Sequence, residues 1–299
     1  MQTAIALGFF DGVHLGHAAL LRRTRALADA QSLCALALSF DVHPQTALGR
    51  PTPLLSTPAM RERLLRDTFG MDAVEFLHFA ALMRMPWRQF FEEVLLGRYH
   101  ARQLVCGYDY RFGAGGEGTA QKLAEICRER GVGCEIVPPV TLDGTVVSST
   151  HIRKLIARGE VEEAARFLGR PYRLTGTVVH GSGLGRTMGT PTANLDPGEL
   201  LLPGRGVYIT LARVGKTACP AVTNVGVKPT VGGEELSVES WLPDYDGDLY
   251  GRELALDFCR FLRPERRFDA VEALRAEIVN NAEQARAFFA ARAESEESL

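Results

Sequence analysis

The sequence predicts two modules of different class. The first is an α/β unit on an open parallel sheet with helices on both faces; the second is an antiparallel β unit, a barrel or sandwich, with a terminal helix. Three observations carry this. Apolar runs of strand length alternate with helical stretches five times in the first half. After Pro171 the runs become short, β-branched or aromatic, and glycine and proline turns separate them. Between the two regimes lies SSTHIRKLIARGEVEEAARFLG, a helical pair split at Gly159. The expected boundaries are 1–158 for the first module, 159–171 for a helical linker and 172–299 for the second.

Each element has a local reason. Ala4 to Gly8 reads as a buried strand and Leu15 to Ala30 as a helix. LCALALSF, Leu33 to Phe40, is an apolar run of strand length. Thr57 can cap a helix whose first residue is Pro58, and that helix ends near Gly70. Ala73 to Phe79 is a strand, Trp87 to Leu96 helical, and QLVCGYD a strand with a polar end. Ala120 to Arg130 is a helix closed by Gly131, followed by the strand CEIVPPV. In the second half the strands are YRLTGTVVHG, GVYITLARV, PAVTNVGV, LSVESWL and ELALDFCRFL. Asp269-Ala270-Val271-Glu272 has the form of a capping box with Phe268 as a staple, and Leu274, Ile278 and Ala282 share one face of the last helix. The acidic tail AESEESL is expected to fray.

Composition narrows the function. The chain has 299 residues, 46% hydrophobic and 23% charged, as in a soluble globular protein. A net charge of −2 supplies no basic field, so nucleic acid is not an expected partner, while a local site can still take a small phosphorylated ligand. No apolar run approaches the ~18 residues of a membrane span, and no signal peptide is expected. Six scattered cysteines without a C-x-x-C pair read as reduced thiols of a cytoplasmic protein. Oligomeric state is not legible.

ALGFFDGVHLGHAALL concentrates the chemistry of the first module. Gly8, Gly12 and Gly16 permit tight turns and close backbone approach, where a strand gives way to a helix. His14 and His17, three apart, face the same way beside the free N–H groups of the helix start, which suits phosphate oxygens. A solvated surface turn is the plainer alternative. The zincin spacing with its glutamate is absent, which disfavours zinc. In the second module GSGLGRTMGTPTANL offers a glycine loop whose amides can wrap phosphates, or an ordinary β-turn. Thr192 and Asn194 point the same way in an extended segment and offer neutral oxygens to a magnesium ion carrying ATP phosphates.

GFFDGVHLGH resembles the H-x-G-H signature of nucleotidylyltransferases in its flavin form. SFDVHP, GYDYRFG and VSSTHIR follow in the order of the FAD synthetase module of the bacterial bifunctional riboflavin kinase/FMN adenylyltransferases. The glycine loop with PTAN, then TNVGVKPT, VES, DYDGDLYG and FLRPERRF, is similar to the riboflavin kinase module of that family, so the resemblance spans nearly the whole chain. It implies a Rossmann-like nucleotidylyltransferase sheet followed by a riboflavin kinase-like barrel. The implied reactions are ATP-dependent phosphorylation of riboflavin to FMN, with Mg2+, and adenylyl transfer from ATP to FMN.

By resemblance, His14 and His17 contact phosphate, and Gly8, Phe10, Asp11 and Gly16 of the same motif help bind the nucleotide and flavin. Ser148, Ser149 and Thr150 open a helix from which Arg153 neutralises the β- or γ-phosphate; an ordinary N-cap is the alternative. Asp41 and His43 border FMN, though His43-Pro44 also reads as a cis bond or rigid turn, and Asp109 and Arg111 help hold flavin or adenine. In the kinase module Gly181, Gly183, Gly185, Thr187 and Gly189 form the phosphate loop, and Thr192 and Asn194 bind the metal. Glu239 falls on the catalytic base and Arg263 on a flavin-side arginine; alone, they read as a solvated strand carboxylate and a surface ion pair. Phe9, Thr190, Trp241 and Pro243 depart from the family pattern, and Ala114 to Glu117 lacks the basic residues common there. These departures bear on affinity and loop geometry rather than reaction type. Two rivals are one working module beside a decayed one, and a flavin or nucleotide sensor without turnover.

Overall fold

The computed structural model describes residues 1–181, 185, 189–230 and 233–297. The chain divides into two compact units, Met1–Ser149 and Thr150–Leu299.

The first unit is built on β1 (Thr3–Leu7), β2 (Cys34–Phe40), β3 (Ala73–Leu77), β4 (Ala101–Gly107) and β5 (Gly133–Val137), all parallel, in the order β3-β2-β1-β4-β5. Strand alternation gives β1 two buried faces. Ala4 and Ala6 pack with Leu20, Leu21 and Ala28 of α1 (Leu15–Gln31). Ile5 and Leu7 turn the other way, into a cluster with Phe91, Leu95, and Leu123 and Ile126 of α3 (Ala120–Arg130). Small residues on the α1 side allow close approach; burying the larger ones opposite contributes about 2 kcal/mol each. The helix α2 (Pro58–Arg63) starts as expected: the Thr57 hydroxyl accepts the Met60 N–H and proline takes the first turn. Gly131 closes α3 at φ 67°.

One boundary moves for a physical reason. β3 ends at Leu77 because the Asp41 carboxylate takes the N–H of Phe79, which opens a short helix, Phe79–Leu82.

The second unit opens with α4, whose range Ser149–Ala157 begins one residue before the division, and α5 (Val161–Leu168). Then come β6 (Tyr172–Val179), β7 (Thr192–Asp196), β8 (Gly206–Val214), β9 (Thr217–Thr230), β10 (Gly233–Trp241) and β11 (Glu253–Arg263). They close into a barrel, β6-β7-β10-β9-β8-β11, with every pairing antiparallel. Closure leaves no unpaired edge. The terminal helix α6 (Val271–Glu297) lays Ala282 and Ala285 against Val207, Ile209 and Val222. It starts two residues past Asp269, with Leu274 donating to the Ala270 carbonyl, and Phe268 meets the Arg266 guanidinium at 4.7 Å. The capping box read from the sequence is therefore displaced.

Candidate active sites

In the first unit β1, β2 and β4 run in register, Leu7 opposite Leu38 and Cys106, so the segments that follow them leave one carboxyl edge of the sheet. Ligands of open α/β sheets bind at such an edge. The turn after β1 is tight and strained. Gly12 sits at φ 75°, but Phe10 at 57° and Val13 at 41° are side-chain-bearing residues in the left-handed region. Such residues cost roughly 1 kcal/mol or more each and persist where surroundings over-determine them. Here Asp11 is the bracket. Its buried carboxylate accepts the N–H groups of Leu55 and Ser56, both at 3.0 Å, and the Ser56 hydroxyl at 3.1 Å. That hydroxyl in turn accepts the Gly12 N–H at 2.8 Å, and Ser149 donates its own to the Asp11 carbonyl at 2.9 Å.

The turn delivers both histidines to the start of α1. His14 is the N-cap: its Nδ1 accepts the His17 N–H at 3.2 Å. A neutral His14 ring thus carries its proton on Nε2, a donor for a phosphate oxygen. The rings stack, centroids 3.6 Å apart and planes 12° from parallel, with the Phe10 edge on His17 at 5.3 Å. Gly16 packs tightly on the His14 ring: a Cβ there would stand 3.2 Å from it, so the imidazole would have to shift. Paired imidazoles beside the free amides of a helix start can take an anion.

The neighbouring strand ends contribute less directly. Burial opposes ionisation of Asp41, but the N–H groups of Phe79 and Val42 and the His78 ring, 2.6 Å away, outweigh it and hold the carboxyl below its usual range. His43 caps the short helix Pro44–Ala47 through Nδ1, packs edge-on against Phe9 at 4.8 Å, and precedes a trans proline. Asp109 and Arg111 are exposed just past β4, beside a Tyr108 that is 44% exposed, while Phe112 is buried against Trp87 and Phe90. The structure therefore unites Gly8, Phe10, Asp11, His14, Gly16, His17 and Ser149, with His43 joined to that turn through the Phe9 ring, while Asp41 is held by Val42, His78 and Phe79. Ser148 lies in the same unit, and Thr150 and Arg153 lie on α4 in the second. Ser39, Ser56 and Arg61, which hold the turn from below, were missed; Ser56 showed only as the residue before a helix cap.

In the barrel, register does the assembling. Asn194 of β7 lies opposite Glu239 of β10, and Asn224 of β9 lies opposite Glu239 on the other side. Directly paired residues share a sheet face. The Thr192 hydroxyl reaches 3.5 Å from a Glu239 carboxylate oxygen. Trp241, two residues beyond Glu239, packs in the cluster beneath α6, so the row opens on the α6 face of the barrel. On the opposite face Thr210, Thr223 and Ser240 form a buried hydroxyl chain of 2.7 and 2.9 Å links.

Gly181 packs on the Asn194 amide so closely that a Cβ would collide with it, and the Gly185 carbonyl accepts the Thr190 N–H at 2.9 Å. Gly189 is left-handed at φ 74°. Gly183 and Thr187 lie outside the described residues. A cleft of about 540 Å³ is lined by Ala193, Ser240 and Leu242 of the face opposite the row, together with Tyr245 and Asp248, and among the described residues it meets the row only through Thr192. Arg263 bonds Glu277 at 3.0 Å and Asn281 at 3.2 Å on α6; its burial lowers its pKa, opposed by Glu277. Asn224, which donates to Glu265 at 3.3 Å, is the residue reading by motif left out.

Both halves match known families. Residues 1–151 match the FAD synthetase family and residues 168–289 the riboflavin kinase family. The bifunctional riboflavin kinase/FMN adenylyltransferase of Listeria monocytogenes is 36% identical over 294 residues, covering 97% of this chain and 93% of its own. That of Pseudomonas fluorescens is 35% identical over 286 residues, covering 95% and 92%. A crystal structure described as a macrolide-efflux protein from Streptococcus pneumoniae superposes with a TM-score of 0.86 at 31% identity, covering 95% of this chain and 94% of that one. Among the described residues no helix is long and apolar enough to cross a membrane. With a curated relative this similar along almost its full length, the chain belongs to the bifunctional riboflavin kinase/FMN adenylyltransferase family, its FAD synthetase domain N-terminal and its riboflavin kinase domain C-terminal.

Proposed function

We propose that the barrel phosphorylates riboflavin with ATP to give FMN, and that the parallel-sheet unit transfers AMP from ATP to FMN, giving FAD and pyrophosphate. The working division is 1–158 for adenylyl transfer and 172–299 for the kinase, with 159–171 as connection. The observation that supports it best is the Asn194–Glu239–Asn224 row: three polar side chains that the sequence scatters share one sheet face, with the Thr192 hydroxyl reaching the Glu239 carboxylate.

In the kinase reaction Glu239 accepts the proton of the ribityl hydroxyl as that oxygen attacks the γ-phosphorus, and the bond to the β–γ bridging oxygen breaks to release ADP. Thr192 and Asn194 suit a magnesium ion arriving with ATP: their donors are neutral oxygens, and the space that a Cβ at Gly181 would fill is kept for the Asn194 amide. Bound there, the ion offsets charge on the transferring phosphoryl group. Gly181, Gly185 and Gly189 of the glycine loop hold the phosphates and Arg263 holds the flavin side. Gly181→Ala should lower riboflavin phosphorylation about tenfold by displacing the Asn194 amide, with FAD formation from FMN unchanged; steady-state assays of both reactions check this.

In the adenylyl transfer no covalent intermediate is needed. FMN phosphate attacks the α-phosphorus and pyrophosphate leaves; the protein aligns two anions and neutralises charge. His14, His17 and the first amides of α1 take the phosphates, Ser149 and Arg153 on α4 the leaving group, and Asp41, His43, Asp109 and Arg111 border the flavin and adenine. Incubation with riboflavin, ATP and Mg2+ should yield FMN and then FAD. Riboflavin recovered intact would overturn the reading.

A further inference from the structure

Beneath the Phe9–Gly12 turn lies a cation that the mechanism above does not use. Arg61 of α2 has no exposed surface. Its Nη1 donates to the Phe9 carbonyl at 2.8 Å and to the Ser39 hydroxyl at 3.0 Å, and that hydroxyl donates to the same carbonyl at 2.8 Å. The guanidinium lies 4.3 Å from the Phe9 ring centre and 5.3 Å from that of Phe76. Nε and Nη2 are buried with no hydrogen-bond partner among the described residues. Burial pulls the pKa down to about 10, opposed by the charge of Asp11, so the group stays cationic at neutral pH.

This is an expensive arrangement. Each buried donor left unmatched keeps its full desolvation cost, which is larger for a charged one. A neutral apolar side chain in the same volume would spare that cost. Arg61 grips the turn one residue before the strained Phe10, while Ser56 grips it at Asp11 and Gly12, one and two residues after. The two anchors come from one stretch, Leu55 to Arg61, and so set the path of the backbone leading to His14 and His17. A cation in a low-dielectric setting also raises the potential at the turn above it, where two polyanionic substrates must meet.

We propose that Arg61 is a positioning residue of the adenylyl-transfer site: it fixes the Phe9 carbonyl and stations a positive charge beneath the phosphate-binding turn. This deepens the functional reading above and rests on it.

The test uses the full chain. Arg61→Met keeps much of the volume and removes the charge and both contacts; Arg61→Lys keeps the charge without the planar fork. Adenylyl transfer from ATP to FMN should fall about 30–100-fold in kcat for Arg61→Met, the scale of a misplaced reacting group, with KM for ATP raised several-fold. Arg61→Lys should restore that KM while recovering only part of kcat. Riboflavin phosphorylation should be unchanged in both. Activities are expressed per folded molecule from the thermal transition. Ser39→Ala, which removes the shared hydroxyl and leaves the guanidinium in place, should give a smaller kcat loss of the same sign, and it keeps the test alive if both Arg61 variants unfold.

Arg61→Met within threefold of wild type per folded molecule, or Lys and Met variants with identical KM and kcat, would overturn the proposal. So would an unaffected Ser39→Ala where neither Arg61 variant folds. Failure of the underlying reading shows differently: the wild-type chain itself would then make no FAD from FMN and ATP.

Discussion

Glu239→Gln should abolish FMN formation, lowering kcat for riboflavin phosphorylation about 100- to 10,000-fold, the range general base catalysis supplies. The amide is nearly isosteric, so the pairing of Glu239 with Asn194 and Asn224 should survive and riboflavin KM should change little. What goes is the ability to accept a proton. FAD synthesis from supplied FMN should continue at the wild-type rate, because Glu239 belongs to the barrel unit and the adenylyl-transfer histidines to the parallel-sheet unit. Separating riboflavin, FMN and FAD by chromatography after incubation reads both activities from one sample. If FMN still forms within tenfold of the wild-type rate, the base is another group. Joint loss of both activities would show that the sites are assigned to the wrong units.

The second large effect is on the paired imidazoles. His17→Ala should lower FAD formation from FMN about 100- to 1,000-fold, the scale of losing one aligned donor to a developing charge, with riboflavin phosphorylation intact. His14 needs a subtler substitution, because its Nδ1 also caps α1 and alanine would remove about 1 kcal/mol of helix stability with it. His14→Asn keeps an acceptor at the N-cap and removes the imidazole. It should therefore cost a similar factor in rate with no change in the thermal transition. A rate loss that tracks a lowered transition would assign His14 to capping alone.

The way the two sites are built explains what could be read from the chain and what could not. The first site was largely legible because it is local. Gly8 to His17 spans one strand end, one turn and one helix start, so spacing alone set the histidines on one side of α1 and left glycine where the His14 ring comes close. The second site was legible mainly through its resemblance to a family, since Asn194, Asn224 and Glu239 come from three strands. Strand alternation says which face each takes within its own strand but not which residue lies opposite. Asn224 went unrecognised for that reason.

Two acidic residues carry a second role that the sequence does not announce. Asp11 and Asp41 were read as ligand contacts from their place in the motifs. In the structure both carboxylates receive backbone N–H groups distant in sequence, Leu55 and Ser56 for Asp11 and Phe79 for Asp41. A carboxylate satisfied in this way anchors a loop, and nothing in the local sequence announces the donor.

The order of strands and helices, the change from parallel to antiparallel architecture, the caps at Thr57 and Gly131 and the paired histidines were determined by the sequence itself. Each depends on hydrophobic period or on backbone preferences acting within about ten residues. Only the tertiary structure decided the register that assembles the Asn194–Glu239–Asn224 row and the burial of Arg61 beneath the Phe9 turn. Those depend on which segments meet across the fold, a choice made by packing and by satisfying buried polar groups, and no local pattern encodes it.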